Sequence, residues 1–418
     1  MPLLMDTTPL RVSADFRRLW CGQAVSFIGS TMTTAALPYQ VYHQTGSSLD
    51  VGLLGMAQLA PLLLFSVVSG TFADGFDKRR LLLVVTLSAM FCSGGLALNA
   101  SLSHPQLWVV FLLGAVSSAV MAATFPVVRS LLPLLLVEEL RPAAFTLQSA
   151  YGSFGMMIGP AIAGAVIGAA GLTPTYAADV GTYVIALLVF SGLSPSPPVS
   201  GAARVSAASL FEGLRFLRGS LVTSIFAIDF LAMVFGMPRA LFPALTHRLG
   251  GGPGLYGLLL SSVACGAFVA SLASGWTGRI RRHGAAVLFS VAGWGGAIAV
   301  AGLTRRTFVV LAMLAVAGGA DMISGVFRST MAADVTPDSL RGRVSGVEFA
   351  VYAGGPVLGD VEAGVVGGLA GIPFAIVSGG AACMVVAGLF AVLVPRLRTY
   401  VRPSSRDVED AAVAAAAS

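Results

Sequence analysis

The chain has 418 residues, of which 56% are apolar and only 11% charged, against roughly 25% charged in an ordinary soluble domain. Apolar blocks of about 20 residues recur along it, long enough as helices to cross a hydrocarbon core of roughly 30 Å, so a water-soluble fold is excluded. The net charge of +6 lies in short loops between the blocks and forms no long basic arm, which argues against nucleic acid as a partner.

Asp6, Arg11, Asp15, Arg17 and Arg18 precede the first full-length block, so the first helix is expected to stay as an uncleaved anchor. Hydropathy windows place six spans near 19–42, 49–71, 81–101, 107–130, 143–170 and 175–194. Residues 1–194 therefore read as one six-helix bundle. A polar linker over 195–219 follows, with Pro195, Pro197 and Pro198 and an amphipathic helix expected over Ser209–Gly219. Six further spans lie near 220–246, 255–278, 285–303, 308–331, 344–369 and 373–394, forming a second bundle over 220–394. Residues 395–418 read as a cytoplasmic, disordered tail.

With the N-terminus inside, Lys78-Arg79-Arg80, Arg279-Arg281-Arg282, Arg341-Arg343 and Arg396-Arg398 all fall on the cytoplasmic side, as the positive-inside rule requires. Arg305-Arg306 and Arg248 fall outside. Cys21, Cys92, Cys265 and Cys383 are isolated within apolar blocks, and the four histidines are scattered near span ends. Neither metal ligation nor a disulfide framework is expected, and no nucleophile or phosphate loop marks an enzyme.

The two halves look duplicated. Val127-Val128-Arg129-Ser130 with Leu140-Arg141 has a counterpart in Val326-Phe327-Arg328-Ser329 with Leu340-Arg341. Gly159-Pro160 has one in Gly355-Pro356, which implies a second copy shorter by about one turn. Parallel repeats of six spans with a central site are a transporter design that works by rocking one half on the other. Arg129 and Arg328 are expected to cap the cytoplasmic ends of their spans, snorkelling toward headgroups.

Between spans two and three stands Gly70-Thr71-Phe72-Ala73-Asp74-Gly75-Phe76-Asp77-Lys78-Arg79-Arg80. The Gly70, Asp74 and Lys78-Arg79-Arg80 pattern resembles motif A of the major facilitator superfamily, with Gly75 and Asp77 departing from it. A carboxylate at a membrane boundary needs a cation or a helix N-terminus, so Asp74 is expected to be a latch. A degenerate copy, Gly275-Trp276-Thr277-Gly278-Arg279, occupies the matching loop of the second half without the aspartate. In span five, Gly155, Gly159, Pro160 and Gly164 are similar to motif C of the drug:proton antiporter branch, which implies export. Ordinary close packing through a glycine face is the alternative.

Asp15-Phe16-Arg17-Arg18-Leu19-Trp20, Ala36-Leu37-Pro38-Tyr39-Gln40, Glu212-Gly213-Leu214-Arg215 and Gly359-Asp360-Val361-Glu362 resemble the enterobactin-exporter-like subfamily. That resemblance covers most of the chain. It implies an all-α membrane protein of twelve helices in two pseudo-symmetric bundles. The implied activity is secondary export of a drug or siderophore, with no cofactor and with the proton gradient as energy source. The implied setting is the bacterial plasma membrane, with both termini cytoplasmic and the protein a monomer whose partners are lipid, protons and a small amphipathic or aromatic substrate. A nutrient uptake symporter and a non-transporting membrane sensor on the same fold are the alternatives.

Ionisable groups inside spans are costly and mark function or fixed ion pairs. The proton-coupling candidates are Asp229, Arg239, Asp321, Asp360 and Glu362, with Asp179 and Glu348 also inside spans. Arg239 is expected to pair alternately with one of the carboxylates. Asp360 and Glu362 are two positions apart, about 200° on a helix, and so cannot face one cavity. Gln23, Phe27, Met32, Tyr39, Gln58, Gln148 and Tyr151 are candidates for a cavity lining or, equally, for packing.

Overall fold

In the computed structural model the described residues are 6–75, 77–195, 220–337 and 340–402, with the side chains of 67–75 and 342–343 also left aside. The expected linker helix over Ser209–Gly219 and the tail beyond 402 lie outside these residues.

The described residues form fifteen α-helices: α1 (Thr8–Val12), α2 (Ala14–Thr45), α3 (Ser48–Gly75), α4 (Lys78–Ser101), α5 (Leu107–Leu135), α6 (Arg141–Ala170), α7 (Leu172–Ser191), α8 (Leu221–Gly236), α9 (Phe242–Arg248), α10 (Pro253–Leu272), α11 (His283–Leu303), α12 (Thr307–Val335), α13 (Arg341–Ala370), α14 (Ile372–Leu393) and α15 (Pro395–Arg398). No strand occurs among the described residues. Helices close every backbone hydrogen bond within one segment, which a hydrocarbon solvent demands. With α8 and α9 counted as one crossing, twelve helices span the membrane, and ten of these are long and apolar enough by mean hydropathy alone. The other two, α2 and α13, have the length but are diluted by polar residues, among them Gln23, Thr33 and Gln40 in α2 and Glu348, Asp360 and Glu362 in α13.

The duplication is in register at 200 positions. Helices α5 and α12 cover 107–135 and 307–335, and α6 and α13 cover 141–170 and 341–370. Gly171 and Gly371 form the two following joints with φ of 92° and 90°, a backbone region that glycine alone enters freely. Equal helix lengths correct the expected one-turn shortening. Gly155, Gly159 and Gly164 correspond to Gly355, Gly359 and Gly364, and Pro160 corresponds to Asp360.

Each half packs alike, with α3 on α5 and α2 on α6 and α7 in the first, and α10 on α12 and α8 on α13 and α14 in the second. The halves meet through α3 against α13 and α6 against α10. These crossings are close because glycine lies at them. A Cβ on Gly52 would stand 2.7 Å from the Asp360 carbonyl oxygen, one on Gly364 would stand 2.7 Å from that of Ser48, and one on Gly164 would stand 3.0 Å from Gly257 Cα. All lie toward the bundle end that bears the joints at Gly171 and Gly371. Toward the other end, Leu64 and Phe65 of α3 and Phe349 and Tyr352 of α13 stand exposed, so the halves are closed at one end and apart at the other.

The seventh crossing corrects the continuous span expected over 220–246. Helix α8 stops at Gly236, a 3-10 turn covers Arg239–Leu241, and α9 resumes at Phe242. Pro238 sits at the break and Pro243 just inside α9, each lacking the N–H that a continuous helix needs. The tail expected to be disordered from 395 begins with a docked segment. Leu397 is fully buried, Tyr400 donates to Asp334 (3.3 Å), and the Arg402 backbone donates to Arg281 O (2.8 Å).

Candidate functional site

Asp229 stands about 12 Å inside α8, and Asp321 is the middle residue of α12, about 21 Å from either end at 1.5 Å per residue. Both turn toward Arg328, two turns along α12 from Asp321. Arg328 Nη1 is ion-paired with Asp229 Oδ1, and Nη2 lies 3.5 Å from Asp321 Oδ1. The side chains of Arg328 and Asp229 are 11% and 13% exposed, while that of Asp321 is 36% exposed. Asp229 is therefore the fixed partner and Asp321 the accessible one. Ala232, Met233, Ser290, Val291, Trp294 and Ser324 complete the crevice around them. Glu348 and Tyr352 of α13 lie within electrostatic reach of Arg328. Two aspartates share one guanidinium, so the trio carries one uncompensated negative charge when both are ionised.

This arrangement corrects the expectation that Arg328 caps the end of its span. At the 199-residue offset of the sequence match, Arg328 aligns with Arg129. In the 200-residue helix register it corresponds instead to Val128, which is buried, and Arg129 corresponds to Ser329, which is exposed. One residue is about 100° of helix. Arg129 accordingly lies on the outside, 4.6 Å over the Phe125 ring, while Arg328 points in.

Arg239 and Asp360 form a separate pair nearer the closed end. Arg239 Nη2 donates to Asp360 Oδ2 (3.1 Å), and the Ala240 backbone N–H donates to Oδ1 (2.9 Å). Glu362 is half-buried and makes no hydrogen bond or ion pair among the described residues. The five charged candidates thus divide into an interior trio with Arg328, a pair at the helix break, and Glu362 apart from both.

In the first half, Asp179 of α7 is completely buried, and among the described residues no cation pairs with it. Its Oδ2 accepts from Thr33 of α2 (2.6 Å) and Ser93 of α4 (2.7 Å), and its Oδ1 from Thr182 (3.2 Å). It ties three helices together.

Of the residues expected to line a cavity, Phe27 and Tyr151 form an edge-on aromatic cluster with Trp20, at 5.9 and 6.2 Å between centroids. Tyr39 packs at a tilt across the halves on Tyr256 (5.4 Å between centroids), and Met32 is buried in the apolar cluster of the second half. Gln58 packs on Gly114 of α5, Gln23 is buried in α2, and Gln148 is half-buried on α6.

The motif C-like glycines face two ways. Gly155 abuts Phe27 and Gly159 abuts Thr31, both on α2, whereas Gly164 and the Pro160 carbonyl meet Gly257 on α10. In the motif A-like loop, Gly70 and Asp74 lie in the backbone of α3 but their surroundings fall outside the described residues. Lys78 is buried, Arg79 donates to the Ser191 carbonyl, and Arg80 is exposed. Asp77, which departs from the motif, is the N-cap of α4, accepting from Arg80 N at 3.0 Å.

Two six-helix halves in register, touching at one end and holding intramembrane ion pairs near their meeting surface, define a secondary transporter of the major facilitator superfamily. The family model described as transmembrane secretion effector matches residues 6–415, and the chain belongs to that family. It is 27% identical over 395 residues to the enterobactin exporter EntS of Shigella boydii serotype 18, covering 94% of each chain. The match to EntS of Escherichia coli O139:H28 has the same identity and coverage. Among solved structures, the nucleoside transporter NupG aligns with a TM-score of 0.71 at 13% identity, covering 91% of this chain and 98% of that one. A bacterial homologue of the lysosomal transporter Spinster, inward-facing and unoccupied, aligns with a TM-score of 0.71 at 14% identity over 96% and 100%. At these identities the structures show the shared fold.

Proposed function

We propose that this protein exports a small amphipathic, aromatic-bearing molecule, a siderophore or a drug, from a bacterial cell in exchange for protons. The observation that carries the reading is the Arg328 trio. Two carboxylates around one guanidinium, deep in the membrane, leave a single negative charge that a proton can neutralise and release. Asp321 is the proton-exchanging member because its side chain is the more exposed of the two carboxylates, while Asp229 keeps Arg328 aimed at it. Arg328 is too strongly basic to lose its own proton in the cycle, so the carboxylates carry the exchange.

Similarity to the enterobactin exporters along 94% of the chain supports outward transport and a siderophore-like cargo. The positive-inside rule assigns the ends bearing Lys78-Arg79-Arg80, Arg279-Arg281-Arg282 and Arg396-Arg398 to the cytoplasm, which supports both described chain ends facing the cytosol across a plasma membrane. The closed end is then extracellular and the structure open to the cytoplasm, the state that loads cargo for export. The aromatic cluster of Trp20, Phe27 and Tyr151 flanks that opening and suits a planar ring. Everted vesicles test the direction. ATP-energised everted vesicles containing the protein accumulate enterobactin or ethidium, and right-side-out vesicles do not; the reverse pattern would identify an uptake symporter.

A further inference from the structure

Among the helical hydrogen bonds that the break between α8 and α9 interrupts is the one from Ala240 N–H to Gly236 C=O. Both orphaned groups are rehoused by named partners. Trp294 Nε1 donates to Gly236 O (2.8 Å), and Ala240 N donates to Asp360 Oδ1 (2.9 Å). The break is therefore a built feature of the second half. The same proline occurs 200 positions earlier as Pro38, yet α2 runs unbroken through it. Pro160, at the position matching Asp360, has no side chain that could take the freed N–H.

The turn that Asp360 holds reaches into the other half. Ala240 is 1% exposed and belongs to the apolar cluster of the first half, among Ala36, Leu37, Val51, Leu54 and Tyr176. On the other face of the same junction, Gly52 of α3 rests on the Asp360 carbonyl. Tyr256 of α10, within electrostatic reach of Asp360 and Arg239, donates across the halves to Ala35 O (2.9 Å). At the pseudo-symmetric crossing, Gly257 rests on the Pro160 carbonyl without such a turn.

We infer that Ala240 is the bolt of the closed end and that Asp360, through its bonds to Arg239 and the Ala240 N–H, holds the bolt extended into the first half. Asp360 is thus a positioning residue for alternation between the two states, distinct from the proton-exchanging trio at Arg328. The inference rests on the alternating-access reading. When the carboxylate loses its charge, Arg239 is released, the turn can fold back toward a continuous helix, and the methyl of Ala240 leaves its socket. Among the described residues the charged group facing Asp360 is Arg239, on its own half's broken helix, and the titratable neighbour from a packed helix is the neutral hydroxyl of Tyr256.

Spin labels at Ser103 and Arg306, exposed on the closed-end loops of opposite halves, report the gap directly in full-length protein carrying Cys21→Ser and Cys265→Ser. The buried Cys92 and Cys383 are left in place. Ala240→Gly, which removes one buried methyl, and Asp360→Asn, which weakens one charge-assisted hydrogen bond, are each expected to raise the long-distance population about fivefold. Asp360→Glu, which keeps the charge, is expected to return most of that shift. A distance distribution unchanged by both Ala240→Gly and Asp360→Asn overturns the inference, even where the wild type transports. A shift in Asp360→Asn that Asp360→Glu does not reverse also overturns it, because a merely structural contact would behave that way. A wild type that fails to transport while the distances respond as described counts against the transport reading alone.

Discussion

Replacing Arg328 with glutamine removes the cation that, among the described residues, faces both Asp229 and Asp321. The structure grades the consequences. Arg328 and Asp229 are 11% and 13% exposed, and breaking such a buried pair from one side costs about 3–5 kcal/mol because the remaining charge is left without compensation. Asp321 is 36% exposed and stands 3.5 Å away, so its pairing contributes about 0–1 kcal/mol after solvent screening. The order of destabilisation is therefore Arg328→Gln, then Asp229→Asn, then Asp321→Asn at little or none. The double variant Arg328→Gln with Asp229→Asn should be more stable than Arg328→Gln alone, since no lone charge is buried at that contact. Size-exclusion recovery after heating the purified protein through a temperature series measures all four. A neutral Arg328→Gln, or an Asp321→Asn as damaging as Asp229→Asn, would refute the assignment of fixed and exchanging partners.

Three further outcomes follow from the packing. Gly164→Val should block closure and abolish transport, because its Cβ would meet the Pro253 carbonyl at 2.5 Å, while Gly168→Ala, whose nearest neighbours are at 4.0 Å, should transport normally. Asp179→Leu should lower thermal stability by about 1–3 kcal/mol for each buried hydroxyl it leaves unpaired, and Asp179→Asn, which keeps an acceptor, should lower it less; heating with size-exclusion readout compares them. Asp77→Ala should cost about 1 kcal/mol through loss of the α4 cap, and Asp77→Ser should restore it in the same assay.

Twelve crossings and their doubling were legible because the two strongest signals in a membrane chain are apolar length and loop charge. The break at Gly236 was not, since Pro238 and Pro243 also occur in forms that helices tolerate, as Pro38, Pro61 and Pro160 do here. What decides is whether a distant side chain accepts the freed N–H, and Asp360 lies 120 positions away. Arg328 was misplaced for a smaller reason. A local sequence match one residue out of helix register turns an inward-facing arginine to the surface, and the matching helix bounds with the joints at Gly171 and Gly371 fix the true offset. Asp229, Asp321 and Asp360 stand out in the sequence as costly intramembrane groups, but their division between Arg328 and Arg239 depends on which helix faces which. Thr33, Ser93 and Tyr256 carried no sequence signal, because a hydroxyl in a membrane helix usually bonds its own backbone, as Thr34 does to Ser30 O here.

Proton coupling through the second-half trio is tested most directly in proteoliposomes given an imposed pH gradient, with ethidium or enterobactin as cargo and an internal dye reporting pH. Wild-type protein should accumulate cargo against its gradient and dissipate the pH difference in step with it, and Asp321→Asn should equilibrate cargo without responding to the pH difference. Gradient-driven accumulation by Asp321→Asn at the wild-type level would contradict the account.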